Sequence, residues 1–153
     1  MADLALAQTT GSIALPTSGV DATFLQIASP AQQRVTVNEW SISFAGTSNT
    51  QAEVLCKISQ QSTAGTGLTA QNPVIWDADI SMTVQSSGQK GFAQSVEPTI
   101  VANIWVENIH PQTGLLWQAP FALEFKCAHG KWLGLLVNNS AALNGVCRNR
   151  ATE

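Results

Sequence analysis

Apolar and polar positions alternate with a period of two along most of this chain, which is the spacing of strands that bury one face. In residues 35–45, Val35 and Val37 share one parity, and Trp40, Ile42 and Phe44 share the other. The switch near Asn38–Glu39 predicts a β-bulge, where one extra residue resets the inward face. Gly46-Thr-Ser-Asn-Thr50 supplies turn chemistry. Beyond it, Val54, Cys56 and Ile58 share one face, with Glu53, Leu55 and Lys57 on the other. Residues 33–61 are therefore expected to form a long hairpin whose apolar face needs a second sheet to cover it.

Further strands are predicted on both sides. Phe24, Leu25 and Ile27 mark one at residues 23–28, and residues 62–73 follow the hairpin as a loop without periodicity. Loops of that length in small domains are often partner-facing. Residues 74–77 read as a short strand, 80–85 as another through Ile80, Met82 and Val84, and 86–91 as a turn. Residues 100–109 form a strong strand pattern: Ile100, Ala102, Ile104 and Val106 alternate with Val101, Asn103, Trp105, Glu107 and Ile109. After a turn at 110–114 come 115–118 and 121–127, the latter with Phe121, Leu123, Phe125 and Cys127 inward, and then 131–138 and 142–148. The sum is eight or nine strands and no amphipathic helix. That pattern predicts an all-β protein, a jelly-roll-like β-sandwich of about eight strands. An immunoglobulin-like sandwich is the second choice, since the Cys-Trp-Cys spacing is missing.

The sandwich is expected to span residues 21–153. Residues 1–20 are dominated by Ala, Thr, Ser and Gly and read as an extended arm. Leu4, Leu6, Ile13 and Leu15 would dock on a neighbouring subunit, and removing the arm is expected to leave a folded domain.

Composition sharpens this picture. Of 153 residues, 44% are hydrophobic and only 11% charged, against about 25% charged in typical soluble domains. Ser, Thr, Asn and Gln must supply the polar surface, which suits a surface largely covered by partners. A net charge of −3 without a basic patch argues against nucleic acid and anionic membranes as partners. No apolar run reaches the roughly 20 residues of a membrane-spanning helix, and the first residues lack the pattern of a secretory signal. Three cysteines, Cys56, Cys127 and Cys147, cannot all pair with one another and are expected to be buried free thiols.

Little catalytic chemistry can be assembled. His110 and His129 both fall at predicted turns, and no Gly-x-Ser-x-Gly elbow exists. Cys127-Ala-His129 with Cys56 or Cys147 matches no common zinc spacing, and Asp77-Ala-Asp79 offers too few carboxylates for calcium. Glu39, Glu53, Glu97, Glu107 and Glu124 are scattered, and the Gly65/Gly67 loop lacks the residues of a phosphate cradle. No enzyme activity, cofactor or metal is expected. Five tryptophans stand without a tyrosine. Trp40 lies on a core parity, whereas Trp105, beside Asn103 and Glu107, is the best candidate for an interface. A carbohydrate-binding or tail-associated module is the alternative, and it would need two exposed tryptophans on one face.

Several segments together resemble a known group. They are Glu39-Trp40-Ser-Ile-Ser-Phe-Ala-Gly-Thr-Ser, Ser62-Thr-Ala-Gly-Thr, Val96-Glu-Pro-Thr99, His110-Pro-Gln-Thr-Gly114, Trp117-Gln-Ala-Pro120 and Leu133-Gly-Leu. Across residues 35–137 the chain resembles small all-β head decoration, or cement, proteins of tailed bacteriophages. The resemblance implies a virion protein on the capsid surface, a homotrimer at local three-fold axes whose partner is the major capsid protein. Its work would be to bind subunit junctions and oppose internal pressure. In that setting Leu4, Leu6, Ile13 and Leu15 of the arm, Thr63 and Gly65 of the loop, and Trp105 are the expected interface residues.

Overall fold

A computed structural model describes residues 4–45, 52–76, 82–92, 96–120 and 122–153. Thirteen strands are present among the described residues: β1 (Ala5–Thr9), β2 (Ile13–Ala14), β3 (Ala22–Ala28), β4 (Val35–Ala45), β5 (Val54–Gln61), β6 (Thr69–Ala70), β7 (Val74–Ile75), β8 (Ser87–Lys90), β9 (Ile100–Ile109), β10 (Leu115–Gln118), β11 (Phe125–Cys127), β12 (Trp132–Asn138) and β13 (Asn144–Thr152). They form two antiparallel sheets. The first has the order β10-β4-β13-β1-β7, with β11 also on β4 and β2 also on β13; the second has the order β6-β8-β3-β12-β5-β9. The expected all-β sandwich is therefore present. The strand count exceeds eight because short strands of two to four residues pair at the margins, where alternation is too brief to read.

The bulge expected near Asn38 is there. Arg150 pairs with Glu39 and Ala151 with Val37, so Asn38 is the extra residue. It lets Val35 and Val37 on one side of the bulge, and Trp40 and Ile42 on the other, all point into the core, each at most 2% exposed. The long hairpin is corrected. β4 and β5 lie in different sheets and do not pair; the Gly46–Thr50 turn lies outside the described residues. Val54, Cys56 and Ile58 still point inward, facing the core from the second sheet.

The expected arm is also corrected. β1 runs between β13 and β7, and backbone bonds tie Leu4 to Glu153 in both directions, at 3.0 and 3.2 Å. Leu4, Leu6 and Leu15 are buried in this chain's own core and Ile13 packs against it. A five-residue segment with a single leucine carries little strand signal alone. Pairing on both edges makes it a strand.

Three smaller differences remain. Residues 86–91 were expected to turn, yet Ser87–Lys90 is a strand on β3. Met82–Gln85 is not strand; Ile80, Asp77 and Asp79 lie outside the described residues. Leu123, expected inward, is 66% exposed, because Pro120 begins a turn closed by the Leu123 amide on the Pro120 carbonyl at 2.9 Å. Phe121 lies outside the described residues.

Candidate functional site

A run of amides inside the protein fixes the loop after β5. Gln26 on β3 donates its Nε2 to Gln61 Oε1 (2.5 Å) and to the Thr63 carbonyl (3.4 Å), while its own oxygen faces the Gly65 amide (3.5 Å). Gln61 donates onward to Thr23 Oγ1 at 3.3 Å. Gln8 on β1 donates to the carbonyls of Gln26 (2.9 Å) and Gln71 (2.5 Å) and accepts from Asn149 Nδ2 (3.1 Å). Buried amides cost free energy unless paired. Here Gln26 and Gln8 each donate to the loop's backbone, at the Thr63 and Gln71 carbonyls, so the expected partner-facing loop is held at both ends by the sandwich. Thr63 is exposed and its Oγ1 accepts the Thr99 amide at 2.9 Å. Gly65 is buried, and a side chain there would meet Leu68 Cδ1 at 2.8 Å.

The expected interface residues do not form one surface. Leu4, Leu6, Leu15 and Gly65 are buried, Ile13 and Trp105 pack against the core, and only Thr63 is exposed. Trp105 is turned inward with Ile109, which shares its parity and pairs with buried Val54; the two register shifts of β9 against β5 lie before Trp105 and make Ile104 and Val101 the extra residues. Trp105 pairs with Ile58, a core residue.

What β9 exposes is its other apolar residues. Ile100 is 38% exposed, Val101 63%, Ile104 38% and Val106 52%. β9 is the outermost strand of its sheet and pairs only with β5 among the described strands. Ten residues of edge strand therefore present a free backbone edge and four large apolar side chains together. Val96, 59% exposed, precedes them.

The outer face of the first sheet has a different chemistry. Register places Gln118, Glu39, Arg150, Ala7 and Val74 in one row across β10, β4, β13, β1 and β7. Gln118 Nε2 donates to Glu39 Oε2 at 3.1 Å. Glu39 Oε1 lies 3.6 Å from Arg150 Nε, an ion pair without a hydrogen bond, and it has no other donor among the described residues. The Arg150 guanidinium stacks 4.2 Å over the ring of Trp76, which follows β7 and is 60% exposed. Two hollows of about 450 and 310 Å³ both have Trp76 and Arg150 in their walls. The polar members of this row fall on the solvent parity of their strands, so alternation alone reads them as surface and gives no hint that they converge.

Among the described residues the groups considered for catalysis or metal form no cluster of three. His110 sits in a turn closed by the Thr113 amide on its carbonyl (3.0 Å), and His129 in the turn before β12. Cys56, Cys127 and Cys147 are free and buried. Burial, with the charge of Glu107 adding to it, pushes the Cys56 thiol up to about 12. Burial raises Cys127 to about 11 against a lowering contact from the Ser29 backbone. Burial holds Cys147 well above the ordinary thiol value. Among the described residues no three His, Cys, Asp or Glu side chains are grouped to hold a metal ion, and no helix is long and apolar enough to cross a membrane.

The fold and these surfaces define a two-sheet antiparallel β-sandwich with one long apolar edge and one polar, tryptophan-bearing face. Compared with protein-family models, curated proteins and solved structures, the chain matches none.

Proposed function

We propose that this chain is a virion structural protein that decorates the head of a tailed bacteriophage, binding the major capsid protein at subunit junctions as a homotrimer. The observation that carries the reading is the β9 edge. A long edge strand with exposed apolar side chains is an aggregation hazard when left open and a docking surface when a partner covers it. In this reading β9 meets the shell subunit, and the sandwich behind it supplies rigidity. The function is adhesion through many weak contacts rather than turnover.

The segments behind the phage resemblance support the same reading by the way they touch. Glu39 and Gln118, from two of them, are hydrogen bonded. Thr66 bridges Val96, and Thr63 accepts the Thr99 amide. A side chain at Gly114 would stand 2.7 Å from the Ile42 carbonyl. These segments are scattered in sequence but pair in space, as expected if they specify one shared fold.

The test starts with light scattering of the purified protein, then mixing with DNA-filled heads assembled without it. A trimer that binds stoichiometrically and raises the temperature at which heads release DNA is expected. Lysines at Val101 and Val106 should abolish attachment without lowering the melting temperature of the free protein. A protein indifferent to heads, or lysine variants that attach as tightly as the wild type, would overturn the reading.

A further inference from the structure

Trp76 is the tryptophan without a packing role. Trp40 is 1% exposed, Trp105 and Trp117 pack against the core, and Trp132 is half-buried, whereas Trp76 stands 60% exposed. Its ring is nevertheless held. Arg150 stacks on it, and Arg150 is itself placed beside Glu39, which Gln118 steadies from the other side. An exposed indole with a fixed orientation loses little freedom when something stacks on it.

The surroundings state what that something must offer. Glu39 is an outward-facing carboxylate, yet it is only 5% exposed, so it lies deep in the larger hollow. One of its oxygens has no hydrogen-bond donor among the described residues. Carboxylate oxygens only accept, so the ligand must donate. The guanidiniums of Arg148 and Arg150 only donate, so the ligand must also accept. Ala5, Ala7 and Ala119 are the small residues beside these groups, and they keep the hollows open. A ligand with an apolar face for the indole and hydroxyls that both donate and accept is a sugar ring. A cationic peptide side chain is a poor fit, since Arg150 already partners Glu39. A nucleic acid is a poor fit to a chain of net charge −3.

We propose that the outer face of the β10-β4-β13-β1-β7 sheet binds a saccharide chain, stacked on Trp76 with hydroxyls reaching Glu39 and Arg150. One exposed tryptophan with a buried carboxylate replaces the pair of exposed tryptophans that the sequence alone would require. The site lies on the opposite sheet from β9, so it stands or falls independently of capsid attachment.

The test is native gel electrophoresis of the full chain through gels cast with galactomannan, mixed-linkage β-glucan or alginate, each against a plain gel. Retardation by a neutral polysaccharide or by alginate supports the site and tells a neutral from an acidic ligand. Trp76→Ala, at an exposed position, should keep the wild-type melting temperature and weaken binding about tenfold or more. Glu39→Gln, which keeps the shape but removes the charge, should weaken it by a smaller factor. Leu116→Ala, on the same face but outside both hollows, should bind as the wild type does. No retardation by any of the three overturns the proposal. So does a Trp76→Ala protein retarded like the wild type, or retention of a single-stranded dT oligonucleotide in place of the polysaccharides.

Discussion

Replacing Gly134 with alanine adds one methyl group at the centre of the second sheet, and its cost can be worked from the neighbours. Gly134 pairs with Gln26 on one side and Ser59 on the other. Its φ is not left-handed, so alanine fits the backbone and would gain about 0.4–1 kcal/mol through the unfolded chain. The added Cβ, however, would lie 2.5 Å from Gln61 Oε1 and 2.8 Å from its Cδ and Nε2. The Gln61 amide must move, and it is bonded to both Gln26 and Thr23. Two strained or broken hydrogen bonds cost about 1 kcal/mol each, and overpacking costs about 1–3 kcal/mol more. The net expectation is a loss of about 2–4 kcal/mol. Urea unfolding followed by tryptophan fluorescence measures it as a fall in midpoint at constant slope. Gln61→Ala makes room for the methyl group, so in that background Gly134→Ala should cost less than about 1 kcal/mol, a coupling that a double-mutant cycle reads directly. An alanine variant as stable as the wild type, or one with the same penalty in both backgrounds, would refute the packing argument.

Deleting residues 1–20 removes β1 from the middle of a sheet together with three buried leucines. At about 2–5 kcal/mol for each leucine the loss rivals the whole stability of a domain, so circular dichroism should show an unfolded product; a cooperative melt would contradict it. The raised thiols of Cys56, Cys127 and Cys147 should resist a disulfide reagent at pH 8 in the native protein and all react in guanidinium. Rapid labelling without denaturant would show that the core is open. Burial pushes the Asp21 carboxyl up, but hydrogen bonds from Lys57 (2.6 Å) and Asn138 (3.1 Å) and the Lys57 charge outweigh it, leaving the group below its ordinary value. A lowered folded value means stabilisation that is complete above the unfolded value and lost as pH falls through the folded one. Asp21→Asn should therefore cost about 1 kcal/mol at pH 7, and the gap to wild type should close below about pH 4; a gap independent of pH would show that the ion pair contributes nothing.

Where side chains decide the structure, the sequence is readable. The parity switch around Asn38 marks a bulge because Val37 and Trp40 both have to face inward, and Trp40 is buried as its parity requires. Where backbone pairing decides, it is not. Ser87-Gly-Gln-Lys has no apolar residue, yet it is a strand because β3 offers an edge and Gly88 allows close approach; a Cβ there would lie 2.7 Å from the Gln71 carbonyl. The β4–β5 hairpin was misread for a related reason. Turn residues specify that the chain reverses, but not whether it returns beside itself or crosses to the other layer. β9 is legible as a strand to the residue, but both of its parities are apolar, so the pattern does not say which one faces inward, and the bulges at Val101 and Ile104 leave no trace in it. The row from Gln118 to Arg150 needed the register of three strands before any of its members could be seen as neighbours.

The edges of the two sheets differ in how they guard against pairing with another chain. The first sheet ends in β7, two residues long, and on its other margin in β10 and β11, four and three residues long. Edges that short offer little template for another chain. On the second sheet one margin, β6, is also two residues long, but the other is β9 at ten. Its protection is the pair of bulges at Val101 and Ile104, each of which interrupts the even ladder and increases local twist. A flat, generic strand does not match such an edge, whereas a partner shaped to it can use the exposed valines and isoleucines. The same two residues thus discourage random pairing and present apolar surface, which is the combination that the proposed docking of β9 on a shell subunit requires.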